Sequence, residues 1–141
     1  MGIHINLAVL MSDWIARHAL SGPAITLGVQ ELSFTSDDFR RWLPARFPHP
    51  PSPRLMTAAE WFEGIGLGVP TSLDVSDYEG AQVLFDLNDD ELPAGLRCAF
   101  NLVVNGGTLE HVFNVPNALT SISRMLRVGG AVLHVLPVNN R

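Results

Sequence analysis

The sequence predicts an α/β fold in which a parallel sheet is covered by helices on both faces. Short apolar runs alternate along the chain with segments of helical periodicity, an order typical of doubly wound sheets. The segment 100–137 alone contains a strand, a Gly-Gly turn, an amphipathic helix and a second strand. Nearly every apolar run ends in a polar residue or glycine. We therefore expect about five parallel strands whose carboxyl ends form the functional edge.

The first half of the chain predicts one helix, one strand and an irregular connection. Apolar residues at helical spacing over 7–18 predict an opening helix, which Gly22 and Pro23 end. Residues 24–27 predict a short buried strand that leaves the sheet at Gly28. We expect a short helix over 37–43. A proline-rich surface loop follows at about 44–53, since five prolines in ten residues exclude a helix interior and a central strand.

The second half predicts the rest of the sheet. Thr57 and Glu60 form a capping-box pattern at the start of a helix that runs through 62. The apolar face of a further helix repeats at i, i+3, i+4 and i+7, and Asn114 is placed to cap it. The remaining elements are strands at 71–74, 82–85, 100–104 and 131–136 and a helix at 115–127.

Composition limits the kind of protein and its partners. The 141 residues fit a single domain over 1–141, and an apolar content of 47% excludes a disordered chain. The net charge of −5 and the lack of a Lys/Arg cluster argue against nucleic acid and anionic membrane as partners. The single cysteine, Cys98, fits a reducing compartment, and the amino terminus has no basic leader. We therefore expect a cytoplasmic protein.

Residues at the predicted strand ends are the candidates for a site, and each has a structural alternative. Asp74 and Asp86 can accept hydrogen bonds from a ligand or simply cap a turn. Glu110 and His111 form a potential general acid/base pair, or they begin a helical segment. No His, Cys or Asp/Glu set has metal-ligand spacing, so we expect no metal.

Four segments in order resemble class I S-adenosylmethionine-dependent methyltransferases. They are ITLGVQ at 25–30, SLDVSDYEGA at 72–81, VLFDLN at 83–88 and VVNGGTLEHVF at 103–113. Together they look like a bacterial methyltransferase-like subfamily, over roughly residues 20–140. The resemblance implies a Rossmann-like sheet with strand order 3-2-1-4-5. It also implies S-adenosylmethionine as cofactor and methyl transfer to oxygen or nitrogen of a small-molecule acceptor.

The resemblance also implies a role for each strand-end position. Gly28 and Gln30 would lie near the methionine part of the cofactor, and Asp74 would take the ribose hydroxyls. The Asp86 carboxylate and the Leu87 backbone N–H would contact the adenine. The residues facing the transferred methyl group would be Asn105 and Gly106, with Glu110 and His111 as the candidate catalytic pair.

Two departures from the family pattern keep other functions open. The first turn has Gln30 where another glycine is common, and the sequence ends soon after the fifth predicted strand. The alternative is a C-terminally short, non-catalytic binding module that pairs with a second copy through the exposed edge of strand 131–136. A third hypothesis is a nicotinamide-dependent oxidoreductase, against which the absence of a Gly-x-Gly-x-x-Gly turn argues.

Overall fold

The computed structural model describes residues 2–40 and 55–137. The predicted proline-rich loop at 44–53 lies outside the described residues. Within these ranges, five strands and four α-helices occur in chain order with two single-turn 3₁₀ helices. They are α1 (Ile5–Arg17), β1 (Ala24–Leu27), α2 (Ser36–Arg40), α3 (Ala58–Gly64), β2 (Thr71–Asp74), β3 (Val83–Leu84), the 3₁₀ helix Ala94–Leu96, β4 (Phe100–Gly106), the 3₁₀ helix Leu109–His111, α4 (Val115–Met125) and β5 (Leu126–Val135).

The strands form one parallel sheet in the order β3-β2-β1-β4-β5, so the predicted α/β fold and strand order are confirmed. The carboxyl ends lie in register along one edge. Leu27 at the end of β1 is opposite Leu73 of β2 on one side and Asn105 of β4 on the other. Because parallel strands end at the same edge, the loops after β1, β2, β3 and β4 meet there.

Helices pack on both faces of the sheet, and the strand residues alternate between them. Leu102 and Val104 belong to the core that α1 and α3 cover, in which Trp61 and Phe62 are fully buried. Val103, between them, faces the core formed with α4. The Thr57–Glu60 capping box is present, as predicted, at the start of α3. None of the helices in the described part of the chain has the length and apolar character that crossing a membrane needs.

The boundary between α4 and β5 differs from the prediction of a helix over 115–127 and a strand over 131–136. The helix ends at Met125 and the strand begins at Leu126, because the N–H groups of Cys98 and Ala99 bond the carbonyls of Arg124 and Met125. Gly129 and Gly130, which the predicted bounds leave between the helix and the strand, belong to β5. They lie within an irregularity of the β4–β5 register, where Gly129 takes a φ of +83°.

Smaller differences affect three other elements. β4 is two residues longer than predicted, because Asn105 and Gly106 pair with His134 and Val135 of β5. β3 is shorter than 82–85, although the Phe85 N–H still bonds the Asp74 carbonyl at 2.9 Å. The helix expected over 37–43 is α2, and positions 41–43 lie outside the described residues.

Candidate functional site

A cleft of about 320 Å³ opens at the carboxyl edge of the sheet. Its walls come from the loops that follow β1, β2, β3 and β4, so we call it the strand-end cleft. Such a volume lies at the lower end of the range for small-molecule sites, roughly 300–1,000 Å³. The cleft brings together six predicted site positions that are far apart in sequence. They are Gly28, Gln30, Asp74, Asp86, Leu87 and Gly106, and His111 also lines it.

The charge of the strand-end cleft is negative at neutral pH. Its walls carry the carboxylates of Asp74, Glu79 and Asp86, and none of the described residues that line it is Lys or Arg. A cleft walled by one sign of charge attracts ligands of the other sign. The site therefore favours a cationic or hydroxyl-rich ligand over a phosphate or carboxylate.

The two carboxylates at the ends of β2 and β3 each keep one oxygen for a ligand. Asp74 and Asp86 are both half-buried. Oδ1 of Asp74 accepts the Ser76 N–H at 3.3 Å, and Oδ1 of Asp86 accepts the N–H and the side-chain amide of Asn88 at 2.9 and 2.8 Å. Within residues 2–40 and 55–137, no hydrogen bond reaches Oδ2 of either carboxylate. This pair, with Leu87, forms the β2–β3 side of the cleft.

Leu87 adds a backbone donor to that side. Its side chain is buried in the core beneath α4, which fixes the position of its peptide group. Its carbonyl accepts a hydrogen bond from the Asn117 side chain at 3.1 Å. In the described part of the chain the Leu87 N–H has no acceptor, so it is available to a ligand in the cleft.

The opposite wall, the β1–β4 side, consists of Gly28, Gln30, Gly106 and Thr108. Gly28 has a φ of +79°, and a Cβ there would lie 3.1 Å from Thr108 Oγ1. Glycine is needed at this turn both for its backbone conformation and for this close contact. The Thr108 hydroxyl donates to the Leu27 carbonyl at 2.7 Å and so joins the loop after β4 to the end of β1.

Gln30 closes the β1–β4 side. Its side-chain amide donates to the carbonyls of Leu27 and Gly28 at 3.1 and 3.3 Å, and the residue is only 7% exposed. Its Oε1 atom is buried and has no hydrogen-bond partner among the described residues. A Cβ built on Gly106 would overlap this oxygen. Gly106 is therefore a glycine because Gln30 occupies the space above it.

Asn105 lies beneath the cleft rather than in its wall. The side chain is fully buried, and Oδ1 accepts the N–H groups of Thr108 and Leu109, both at 3.1 Å. Its Nδ2 lies 3.4 Å from Nδ1 of His134. Both ends of the amide are thus engaged with the protein, and Asn105 positions the loop after β4.

The 3₁₀ helix Leu109–His111 separates the two candidate catalytic residues. His111 is exposed and lines the strand-end cleft. Glu110 instead lines an open apolar groove of about 410 Å³ between α4 and the end of β5, together with His134. The geometry therefore presents His111, without Glu110, to a ligand in the cleft.

Sequence reasoning did not select three polar residues that build the site. Thr108 and Asn88 hold the loops after β4 and β3, and Glu79 adds the third carboxylate to the cleft. Thr108 lies two residues after the end of β4 and Asn88 lies four residues after the end of β3, and this position was the available signal. In the described part of the chain, no three His, Cys, Asp or Glu side chains lie together as potential metal ligands.

No protein-family model, curated protein or solved structure matches this chain. The case for its function therefore depends on the geometry and chemistry of the strand-end cleft.

Proposed function

We propose that the protein transfers a methyl group from S-adenosylmethionine to oxygen or nitrogen of a small-molecule acceptor. One observation carries the proposal. Two half-buried carboxylates stand at the ends of adjacent strands, in an acidic cleft, and each has one oxygen without a hydrogen bond from the described residues. These acceptors suit a ligand that combines hydroxyl groups, an amine and a positive charge.

Each part of the adenosine group has a partner on the β2–β3 side. The Asp74 carboxylate accepts from the ribose hydroxyls, since charge-assisted hydrogen bonds of this kind are short and strong. Asp86 accepts from the adenine amine through Oδ2, and the Leu87 N–H donates to a ring nitrogen. The three groups follow one another along the edge from β3 to β2, which matches the linear order of base and sugar.

The chain has few residues for chemical catalysis, and this reaction requires few. A bound S-adenosylmethionine would supply an activated methyl carbon, with a neutral thioether as the leaving group. The protein then has to bind and align donor and acceptor. His111, which lines the cleft, would accept on a ring nitrogen the proton that the acceptor oxygen or nitrogen loses.

The same geometry argues against a nicotinamide dinucleotide as the ligand. No helix starts at the turn after β1, because α2 begins only at Ser36. The diphosphate of a dinucleotide would therefore lack the N–H groups of a helix N-terminus. It would also face Asp74, Glu79 and Asp86 without a Lys or Arg among the described lining residues.

Isothermal titration with S-adenosylhomocysteine tests the proposal, with NAD as the control ligand. We expect micromolar binding of S-adenosylhomocysteine, on the order of −8 kcal/mol, and no heat with NAD. Folding of the sample is verified by circular dichroism before the titration. A folded protein that gives no heat with S-adenosylhomocysteine would contradict the proposal.

The edge of β5 favours a second candidate function, a binding module that pairs with another copy of itself. β5 is the longest strand, with ten residues, and among the described strands it forms one edge of the sheet. It has apolar side chains on both faces, with Leu133 packed toward α1 and Val132 toward α4. An edge strand of this kind is a template for pairing. Light scattering that gives a dimer mass would support it, and a monomer at high concentration would contradict it.

A further inference from the structure

The placement of Gln30 bears on which ligands the strand-end cleft can accept. Gln30 belongs to the β1–β4 side, where it fills the space above Gly106. Two carbonyls hold its side-chain amide, so the side chain is fixed rather than free to rotate. Its Oε1 is buried and has no hydrogen-bond partner among the described residues. Gln30 thus acts here as a wall.

The strand order identifies which part of the ligand meets this wall. Along the sheet edge, the ends of β3, β2, β1 and β4 follow one another. Neighbouring strands are about 4.8 Å apart, so this stretch of the edge spans roughly 14 Å. With the base at β3 and the ribose at β2, the substituent on the ribose 5′ carbon extends over β1 toward β4. That substituent meets Gln30.

We propose that Gln30 sets the length of the 5′ substituent that the strand-end cleft accepts. An adenosine with a short 5′ group fits beside Gln30, whereas a longer 5′ chain binds only by displacing this side chain. The inference rests on the proposed adenosine site and adds a specificity-determining residue to it. If Gln30 limits the 5′ substituent, the amino-acid part of S-adenosylmethionine is the portion of the cofactor that binds least favourably.

The structure also indicates that Gln30 can be shortened without loss of the fold. The Leu27 carbonyl keeps its hydrogen bond from Thr108 at 2.7 Å when the Gln30 amide is removed. Shortening the side chain also eliminates a buried acceptor that has no partner in the described part of the chain, and such an atom destabilises the folded state. Gln30 has no positive φ, so alanine suits its backbone.

Two adenosine ligands and two variants test the inference. The ligands are 5′-methylthioadenosine, with a short 5′ group, and S-adenosylhomocysteine, with an amino-acid chain. Each is titrated calorimetrically into wild type, Gln30→Ala and Gln30→Met. Methionine keeps the length of glutamine without its amide, so Gln30→Met retains the volume of the side chain and serves as the size control. Circular dichroism establishes that all three proteins are folded.

We expect Gln30→Ala to strengthen S-adenosylhomocysteine binding about tenfold and to change 5′-methylthioadenosine binding by less than about twofold. Gln30→Met should keep the wild-type ratio of the two affinities. The inference is overturned if Gln30→Ala leaves that ratio unchanged. It is also overturned if Ala and Met both weaken S-adenosylhomocysteine binding, which would make Gln30 an acceptor for the ligand's amino group. Folded proteins that bind neither ligand would refute the adenosine site and this inference together.

Discussion

The two sides of the strand-end cleft use polar residues in opposite ways. On the β2–β3 side, the carboxylates of Asp74 and Asp86 accept hydrogen bonds, among the described residues, only from residues two positions further along the chain. On the β1–β4 side, the hydroxyl of Thr108 bonds the carbonyl of Leu27, 81 positions away. Short-range bonds leave one carboxylate oxygen open, whereas long-range bonds join two loops and close the wall. A polar residue at a strand end is thus available to a ligand only if no other loop uses it.

The glycines of the cleft show the same contrast between a wall closed by the protein and a wall open to a ligand. Gly28 and Gly106 both permit a close approach, but the approaching groups are Thr108 and Gln30 of the protein itself. The β2–β3 side has no glycine among the described residues that line it. The β1–β4 side is consequently a packed structural joint, so a larger residue at Gly28 or Gly106 should reduce stability, whereas shortening Gln30 should change which ligands fit. Substitutions on the β2–β3 side should affect ligand affinity instead.

The largest expected effect is the loss of stability in Asn105→Ala. The change leaves the N–H groups of Thr108 and Leu109 without their acceptor beneath the closed side. We expect the free energy of unfolding to fall by about 3 kcal/mol. Asn6→Ala is the control, since Asn6 is exposed on α1, and it should change stability by less than about 0.5 kcal/mol. Urea unfolding measures both, and equal stabilities would show that Asn105 does not hold the loop.

Next in size is the clash that Gly106→Ala should create with Gln30. The added Cβ overlaps Oε1 of Gln30, so we expect a loss of about 2 kcal/mol in the free energy of unfolding. In the double variant Gln30→Ala/Gly106→Ala the clash is absent. Gly106→Ala should therefore lower the free energy of unfolding much less in the Gln30→Ala background than in wild type. A double-mutant cycle by urea unfolding measures this coupling. Additive effects would mean that the two residues do not compete for one space.

On the β2–β3 side, Asp74→Asn should weaken S-adenosylhomocysteine binding while leaving the fold intact. The loss of a charge-assisted hydrogen bond to the ribose predicts an affinity lower by about tenfold to a hundredfold. Asp77→Asn removes the same charge from the same loop at an exposed position outside the cleft, and should leave the affinity near that of wild type. Calorimetric titration compares them. Equal losses in both variants would indicate a general charge effect in place of a specific contact.

The smallest expected effect is that of Asp86→Asn. Its Oδ1 can still accept from Asn88, so the loop after β3 should keep its structure. Only the contact of Oδ2 with the adenine amine loses its charge, for which we expect an affinity lower by roughly threefold to tenfold. Inosine-containing ligands lack this amine and provide the check. A variant that discriminates adenosine from inosine as well as wild type does would exclude the proposed contact.

Sequence patterns predicted the sheet because each strand and helix is identified by residues that are close together in the chain. The alternation of buried runs with helical periods gave β1, β2, β4 and α4, and the Thr57–Glu60 spacing gave the cap of α3. The Gly-Gly pair at 129–130 falls outside the strand predicted over 131–136, because the irregular register that accommodates it depends on pairing with β4. Short segments of sequence thus indicate which elements occur and in what order, whereas the position of a bulge depends on the neighbouring strand.

The same limit applies to the site. Asp74 and Asn105 are both polar residues near strand ends, and the sequence alone gives them equal standing as ligand contacts. The structure distinguishes them, since Asn105 has two backbone donors within reach and Asp74 has one. Gln30 was expected to lie near the cofactor, but its contact with Gly106 joins loops separated by 76 positions. Such pairings are set by tertiary packing and leave no local pattern.

The most direct test of this account locates the ligand on the protein. Amide chemical shifts of the ¹⁵N-labelled chain are recorded during titration with S-adenosylhomocysteine, which reports on each loop separately. We expect the largest changes at Val75, Leu87 and Asn88 on the β2–β3 side, with Gly66 and Gly95 unchanged. Changes confined to the groove residues Val115 and Leu119, or no changes at saturating ligand, would contradict the assignment of the strand-end cleft as the cofactor site.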